Sequence, residues 1–429
     1  MNPLYTAGIA VYGGAARLVS LGSPKVRHML SGQKETIGRL RAFREHMAPD
    51  GFDVWFHAAS LGEFEQARPI IDSLLTHDPA KRILLSFFSP SGYEVRCDYN
   101  PRVAVVYLPF DIPGNVDAFL DAARPRMAIF VKYEFWGNYL EKLKKRGIPT
   151  YIISAIFRPS QRFFKPWGTM FRKMLENFEH LYVQDERSLR LLAGIGIDRV
   201  TVAGDTRFDR VTAIRENRKA IPEIECFLSA GGKKSFTMVF GSSWEADEKV
   251  YVPWLKEHAD VRAIIAPHEF DKNRLAEMRR RLGSGSTMLF SDFKTLYQSS
   301  PEEAAKAAGK LKYLIIDCFG LLSSLYAYAD VAYVGGGFGV SIHNINEAAT
   351  YGIPVVFGPK HSKFKEASDL IGCGGAFCID STGAFRATME SLLDEASRKR
   401  AGKAAGHYIE SNIGASDIIM ADLFPRIKS

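Results

Sequence analysis

The sequence predicts an α/β protein with two parallel-sheet domains, and three observations predict it. Past residue 50, short apolar runs alternate with helical segments, which is how parallel strands and their crossover helices read along a chain. The alternation resumes after a charged, proline-containing stretch, Arg210 to Gly232. A length of 429 residues suits two or three domains at roughly 100–200 residues each. The expected organisation is an N-terminal segment 1–50, an α/β domain 51–210, a linker 211–232 and a second α/β domain 233–429. The last helical stretch, about Arg398 to Leu423, can pack on either domain.

In chain order, the first series runs Asp53–Ala58, a helix near 62–77, Arg82–Phe87 and a helix near 91–98. Strands follow at Val103–Leu108, Met127–Val131, Thr150–Ile153 and His180–Val183. The second series has strands at Phe236–Phe240, Arg262–Ala266, Thr287–Phe290, Tyr313–Ile316, Val331–Val334 and Pro354–Phe357. The polar insert Tyr297–Lys312 reads as a surface loop with a short helix, and no internal repeat is evident. In open parallel sheets ligands bind beyond the carboxyl ends of the strands. Two such domains facing each other predict a central cleft, and motifs at strand ends are the ones to read.

Hydrophobic content of 46% with 24% charged residues excludes a disordered or fibrous chain. Basicity is confined to the first half: residues 1–210 carry a net +7, residues 211–429 a net +1. Nucleic acid, an anionic membrane or an anionic substrate would each suit that excess, and charge alone does not choose. The five cysteines are few and odd in number and no secretory signal is clear, which points to reduced thiols; Cys373 and Cys378 lack the second ligand pair of a zinc site. Leu4 to Leu21 is mildly apolar but is interrupted by Arg17 and Gly13-Gly14, short of the about 20 strongly apolar residues a spanning helix needs. Seven cations through Arg44 accompany it against Glu35, Glu45 and Asp50. That pattern suits an interfacial anchor on acidic lipid, and equally an N-terminal helix pair packed on the domain.

Three strand ends carry candidate chemistry. In His57-Ala58-Ala59-Ser60-Leu61-Gly62-Glu63-Phe64 a strand runs through a small-residue turn into a helix, which presents the Glu63 carboxylate beyond the sheet. Ser60-x-x-Glu63 is also a capping box, in which Glu63 only reaches back to a backbone N–H. Val334-Gly335-Gly336-Gly337, followed by His343-Asn344-x-x-Glu347, lets backbone approach a phosphate, with Glu347 on the next helix for ribose hydroxyls. Glu347 comes too early for the acidic residue of a dinucleotide fingerprint. Gly241-Ser242-Ser243-Trp244 offers phosphate contacts or an ordinary helix cap, and Pro267-His268 closes the next strand in the same way.

With these residues in view, the chain resembles the Kdo transferases, which attach 3-deoxy-D-manno-oct-2-ulosonic acid (Kdo) to a lipid A precursor. The resemblance runs over nearly the whole chain and in the family's order. It is carried by His57 to Phe64, Ser89-Pro90-Ser91-Gly92, Glu134-x-Trp136, Gly204-x-x-x-Phe208-Asp209, Gly241 to Trp244, Gly335-Gly336, His343-Asn344-x-x-Glu347-x-Ala349 and Gly358-Pro359. It implies an α/β GT-B fold, an inverting transfer from CMP-Kdo to a lipid IVA-like acceptor in lipopolysaccharide biosynthesis, no metal or other cofactor, and no nucleic-acid partner. It also implies a place at the cytoplasmic face of the bacterial inner membrane, peripheral or N-terminally anchored. Glu63 takes the place of the general base, and Gly335, Gly336, Gly337, Asn344 and Glu347 fall around the nucleotide. Two departures stand out: Pro267-His268 lacks the arginine that commonly precedes this histidine, and Lys132 replaces an acidic residue.

The chemistry asks for a base on the acceptor hydroxyl and for positive groups on the departing phosphate. Gly241, Ser242, Ser243 and His268, with Arg207 or Lys360, are expected on the donor side. Ser89, Ser91, Arg158, Arg162 and Lys165, the last three amid Phe157, Phe163, Phe164 and Trp167, are expected to meet the acceptor or its phosphates. Two other functions remain compatible with the sequence: a sugar-nucleotide epimerase of the same architecture, and a non-catalytic basic protein of the membrane surface.

Overall fold

Unbroken apolar pentads such as Val-Trp-Phe-His-Ala and Ile-Leu-Leu-Ser-Phe can be buried along their whole length only as interior strands, and the computed structural model places them so. It describes residues 3–230 and 236–428. These divide into two units: one runs to Arg210 and resumes at Ile413, the other spans Val211–Asn412. The strands of the first are β1 (Val54–Ala58), β2 (Ile83–Phe87), β3 (Val103–Tyr107), β4 (Ala128–Val131), β5 (Thr150–Ala155), β6 (His180–Val183) and β7 (Val200–Val202). Those of the second are β8 (Phe236–Ser243), β9 (Val261–Pro267), β10 (Thr287–Leu289), β11 (Tyr313–Ile315), β12 (Val331–Val334), β13 (Val355–Phe357) and β14 (Ala376–Cys378). The sheet orders are β3-β2-β1-β4-β5-β6-β7 and β10-β11-β9-β8-β12-β13-β14, and neighbouring strands run parallel, as in β1 against β4 and β8 against β12.

Several expectations are corrected. β7 and β14 were not expected: each is a three-residue edge strand, Val-Thr-Val and Ala-Phe-Cys, too short to show a period. The expected linker 211–232 is largely helical, in Arg207–Glu216 and Pro222–Ser229; its last two residues, Gly231 and Gly232, lie outside the described residues. Pro222 sits in the first helical turn, where a missing N–H costs nothing, and Ile224 and Phe227 behind it are buried. The insert Tyr297–Lys312 contains the expected short helix, Pro301–Ala308, but less loop than expected, since its start belongs to the helix Phe290–Ser299; the pair buries Phe293 and Ala304. Phe290 therefore opens a helix and does not end β10.

The last helical stretch breaks at Gly414, whose φ of +99° suits glycine. Glu395–Glu410 belongs to the second unit, and Ala415–Lys428 returns to the first, burying Ile419, Leu423 and Ile427 in its core. Asp209 caps that return, accepting the N–H groups of Gly414 (2.6 Å) and Ser416 (2.7 Å).

The N-terminus forms α1 (Pro3–Val19) and α2 (Pro24–Met47). On α2, Met29, Gln33, Thr36 and Leu40 recur at helical spacing and are buried. α1 is fastened at a few points, with the Tyr5 hydroxyl donating to Asp111 (2.7 Å) and Tyr12 edge-on to Phe110. Its other face leaves Val11 73%, Leu18 72% and, just beyond, Leu21 78% exposed. The segment packs as a helix pair and leaves an apolar stripe exposed. Among the described residues no helix is long and apolar enough to cross a membrane.

Candidate functional site

Strand order reverses between β1 and β4 in the first sheet and between β8 and β12 in the second. At such switch points the loops beyond the carboxyl ends diverge and leave a crevice. Glu63 and the segment Lys132–Trp136 follow β1 and β4; Ser242 and Ser243 end β8, Trp244 follows it, and Gly335–Gly337 follow β12. Lys132 (φ +60°) and Ser242 (φ +52°) hold left-handed backbone there, a strain that non-glycine residues keep only where the surroundings impose it.

In the first unit the chain turns through Ala59 and Ser60 into α3 (Leu61–His77). Oε2 of Glu63 accepts the backbone N–H groups of Ala59 (2.7 Å) and Ser60 (3.2 Å), so the capping contact is present. Oε1 makes no hydrogen bond to a described residue. Burial first, then repulsion from Glu134, pushes this carboxyl up to about 7, against the pull of the Ala59 N–H and Lys132. A carboxyl titrating near neutrality with one oxygen uncommitted can take a proton from a hydroxyl.

Glu134 is buried, and its Oε2 receives His57 Nε2 (3.0 Å) and the indole N–H of Trp136. On its other side the imidazole Nδ1 lies 2.9 Å from Ser86 Oγ and 3.1 Å from Ser86 O. Ser86 in turn takes the indole N–H of Trp55 (2.8 Å). This chain of side chains across the core fixes Glu134 where its charge acts on Glu63.

Other candidates of this unit are placed as follows. Ser89 caps the short helix Pro90–Arg96, its hydroxyl shared with Ser91 at 3.0 Å, and its N–H donates to Ala59 O (2.7 Å), which puts it beside the Glu63 turn. Arg158 and Arg162 are exposed and Lys165 is half-buried. Their aromatic companions are mostly core: Phe157 and Phe163 are buried, while Trp167 is 65% exposed. Arg207 forks onto Asp205 (2.7 Å from Nη2), and burial notwithstanding, that guanidinium holds the Asp205 carboxyl below its usual range. Its expected duty toward a phosphate is therefore shared with an ion pair of its own.

In the second unit the glycine loop needs a correction. The Gly335 N–H donates to Gly241 O (2.9 Å) and the Gly336 N–H to Asp247 Oδ2 (2.9 Å), so both are spent inside the protein. A Cβ on Gly335 would lie 2.3 Å from Ser242 O, and one on Gly337 2.6 Å from the Gly358 Cα. The close approach these glycines permit is that of the chain's own backbone. Gly241 is small for a similar reason, being packed under the Tyr326 hydroxyl. Ser243 is buried, its hydroxyl bonded to that of Tyr251 (2.8 Å), and so faces the core. The Lys360 ammonium is bonded to Gly339 O.

What the loops present instead is a set of rings. Trp244 stacks on the exposed His268 at 4.3 Å, His268 lies 4.6 Å from His343, and the Trp244 indole N–H donates to His343 Nε2 (3.2 Å). Burial and then His268 push His343 down to about 4, so it stays neutral and can accept that bond. Beyond them Asn344 is exposed, and its amide donates to Glu347 Oε1 (3.1 Å) from the turn before the four-residue helix Asn346–Ala349. Asn346 is buried, and neither amide atom finds a partner among the described residues. Asp247 and Asn346 escaped the sequence reading; the one available signal was Trp244-x-x-Asp247, a capping-box spacing. Among the described residues no group of three His, Cys, Asp or Glu is arranged to hold a metal ion.

Residues 30–210 match the family model described as 3-deoxy-D-manno-octulosonic-acid transferase (kdotransferase). The 3-deoxy-D-manno-octulosonic acid transferase of Bordetella pertussis is 27% identical over 406 residues, 88% of each chain, and that of Haemophilus influenzae 23% identical over 96% of this chain and 94% of that one. Among solved structures, UDP-GlcNAc 2-epimerase from Neisseria meningitidis superposes with a TM-score of 0.58 at 15% identity, covering 87% of this chain and 99% of that chain. Acinetobacter baumannii MurG gives 0.53 at 12%, with the same coverage. At such identities the structures speak for the fold alone, two Rossmann-like parallel sheets of GT-B type. The matched domain and the relatives along most of the chain mark this chain as a glycosyltransferase similar to the Kdo transferases over nearly its whole length.

Proposed function

We propose that the protein transfers Kdo from CMP-Kdo to a lipid A precursor in lipopolysaccharide biosynthesis, with inversion and with Glu63 as general base. The observation that carries the proposal is the Glu63 carboxyl at a strand-order switch point, held by two backbone N–H groups and titrating near neutrality. The acceptor hydroxyl oxygen attacks the anomeric carbon of Kdo while its proton passes to Glu63. The bond from that carbon to the phosphate oxygen of CMP breaks, and CMP leaves with the electron pair. Burial lifts the base toward working pH, which typically contributes about 10²–10⁴-fold. The stacked Trp244, His268 and His343, with Asn344 and Glu347, are the proposed nucleotide contacts of the second unit. The reading uses no metal or organic cofactor. It places the protein peripherally on the cytoplasmic face of the inner membrane, with the apolar face of α1 and the basic first half toward acidic lipid.

Mass analysis of the product after incubation with CMP-Kdo and a lipid A precursor tests this. Addition of Kdo, undiminished by EDTA, is expected. Turnover of free UDP-sugars without an acceptor would overturn the reading in favour of an epimerase.

Glu347→Ala is expected to weaken CMP binding about tenfold, the size of one charge-assisted hydrogen bond to a ribose hydroxyl. Calorimetry that finds an unchanged dissociation constant moves the nucleotide elsewhere.

A further inference from the structure

Between α1, α2 and the start of the segment after β3 lies a cavity of about 850 Å³ that none of the proposed chemistry uses. Its lining includes Arg17, Arg27 and Lys34 and no carboxylate. Neither Arg17 nor Lys34 forms an ion pair with a described acidic residue. Arg27 closes the corner between the helices by donating to Ser20 O (3.2 Å) and Leu21 O (3.1 Å). Gln33, 92% buried, lines the same cavity, and its Nε2 has no hydrogen-bond partner among the described residues. A buried amide donor without an acceptor is unfavourable, so an acceptor oxygen in this cavity would be favoured twice, by the amide and by the cations.

The remaining wall is apolar, from Leu30, Ile37 and Phe110. The rim continues into the open stripe of α1: Arg17 and Ser20 line the cavity, while their chain neighbours Leu18 and Leu21 are among the most exposed apolar residues. Anion below and hydrocarbon beside is the chemistry of an amphiphile. We propose that this pocket seats the phosphate headgroup of an anionic glycerophospholipid, whose acyl chains lie along the exposed face of α1. The inference rests on the reading that the protein works at a membrane, and adds to it a defined lipid site in place of diffuse attraction.

The test uses the full chain and monomeric dihexanoyl-phosphatidylglycerol, followed by calorimetry. Saturable binding of one lipid per chain is expected. The pair Arg17→Gln with Lys34→Gln should weaken it at least about tenfold, because each cation beside a phosphate counts strongly. The charge-matched pair Lys25→Gln with Arg41→Gln, on exposed positions of α2 outside the pocket, should stay within about twofold. Absence of saturable binding, equal losses in the two pairs, or inorganic phosphate binding as tightly as the lipid would each overturn the proposal. Turnover of CMP-Kdo with a short-chain soluble acceptor, measured on the same proteins, reports separately on the transferase reading and should be equal in all three.

Discussion

Glu63→Gln is expected to abolish Kdo transfer and to stabilise the fold above neutral pH. Glutamine keeps an oxygen that can accept the Ala59 and Ser60 N–H groups, so the cap survives, but it cannot take a proton. A loss of at least about 10²–10⁴-fold in turnover follows. The stability effect has a definite sign. The carboxyl is raised from 4.5 to about 7 in the folded chain, so folding disfavours its ionised form. That penalty is absent below about pH 4.5, grows between there and pH 7, and is complete above. The variant should therefore unfold at a higher temperature than the parent at pH 8, by an amount worth a few kcal/mol at most, and at nearly the same temperature at pH 4.5. In the parent, turnover should rise with pH toward a plateau above about 7. Normal turnover in the variant would leave Glu63 with its capping role alone.

The two roles of Glu63 also show where sequence reading stops. Ser60-x-x-Glu63 specifies the backbone contact by local spacing, and the structure contains it. The lifted pKa comes first from burial and then from Glu134, 71 positions away, a carboxylate that only the fold brings near and that His57 holds in place. Strands were legible where apolar runs are long, as in β1 and β2, and not at the three-residue edges β7 and β14. The glycines after β12 were legible as a place of close approach, but not which group approaches. A phosphate and the backbone of Ser242 or Gly358 ask for the same missing side chain. The aromatic residues around Arg162 stand among cations in the sequence and are expected there beside the acceptor, whereas Phe157 and Phe163 pack inward against Phe135.

Asp247→Ala is expected to damage the second unit far more than Asp247→Asn. The fully buried carboxylate accepts three donors: the N–H groups of Trp244 and Gly336 on Oδ2, both at 2.9 Å, and the Tyr333 hydroxyl on Oδ1 at 2.9 Å. It thereby ties the loop after β8 to the loop after β12, the two that flank the strand-order reversal. Alanine orphans all three donors, at about 1–3 kcal/mol each, so a loss on the order of 3–6 kcal/mol is expected. For a unit of this size that lowers the transition by roughly 10–20 °C. Asparagine can keep its oxygen toward the two N–H groups and turn its amide to the Tyr333 hydroxyl, which rotates to accept. Burial also raises the Asp247 carboxyl above its usual value, so the parent loses stability as pH rises through that range while the asparagine variant does not. Calorimetry at pH 7 should find the asparagine transition within about 3 °C of the parent. CMP affinity should follow the same order, because Trp244 and its stack on His268 lose their anchor only in the alanine variant. Equal destabilisation by both substitutions would mean that charge, and not the three hydrogen bonds, holds the loops.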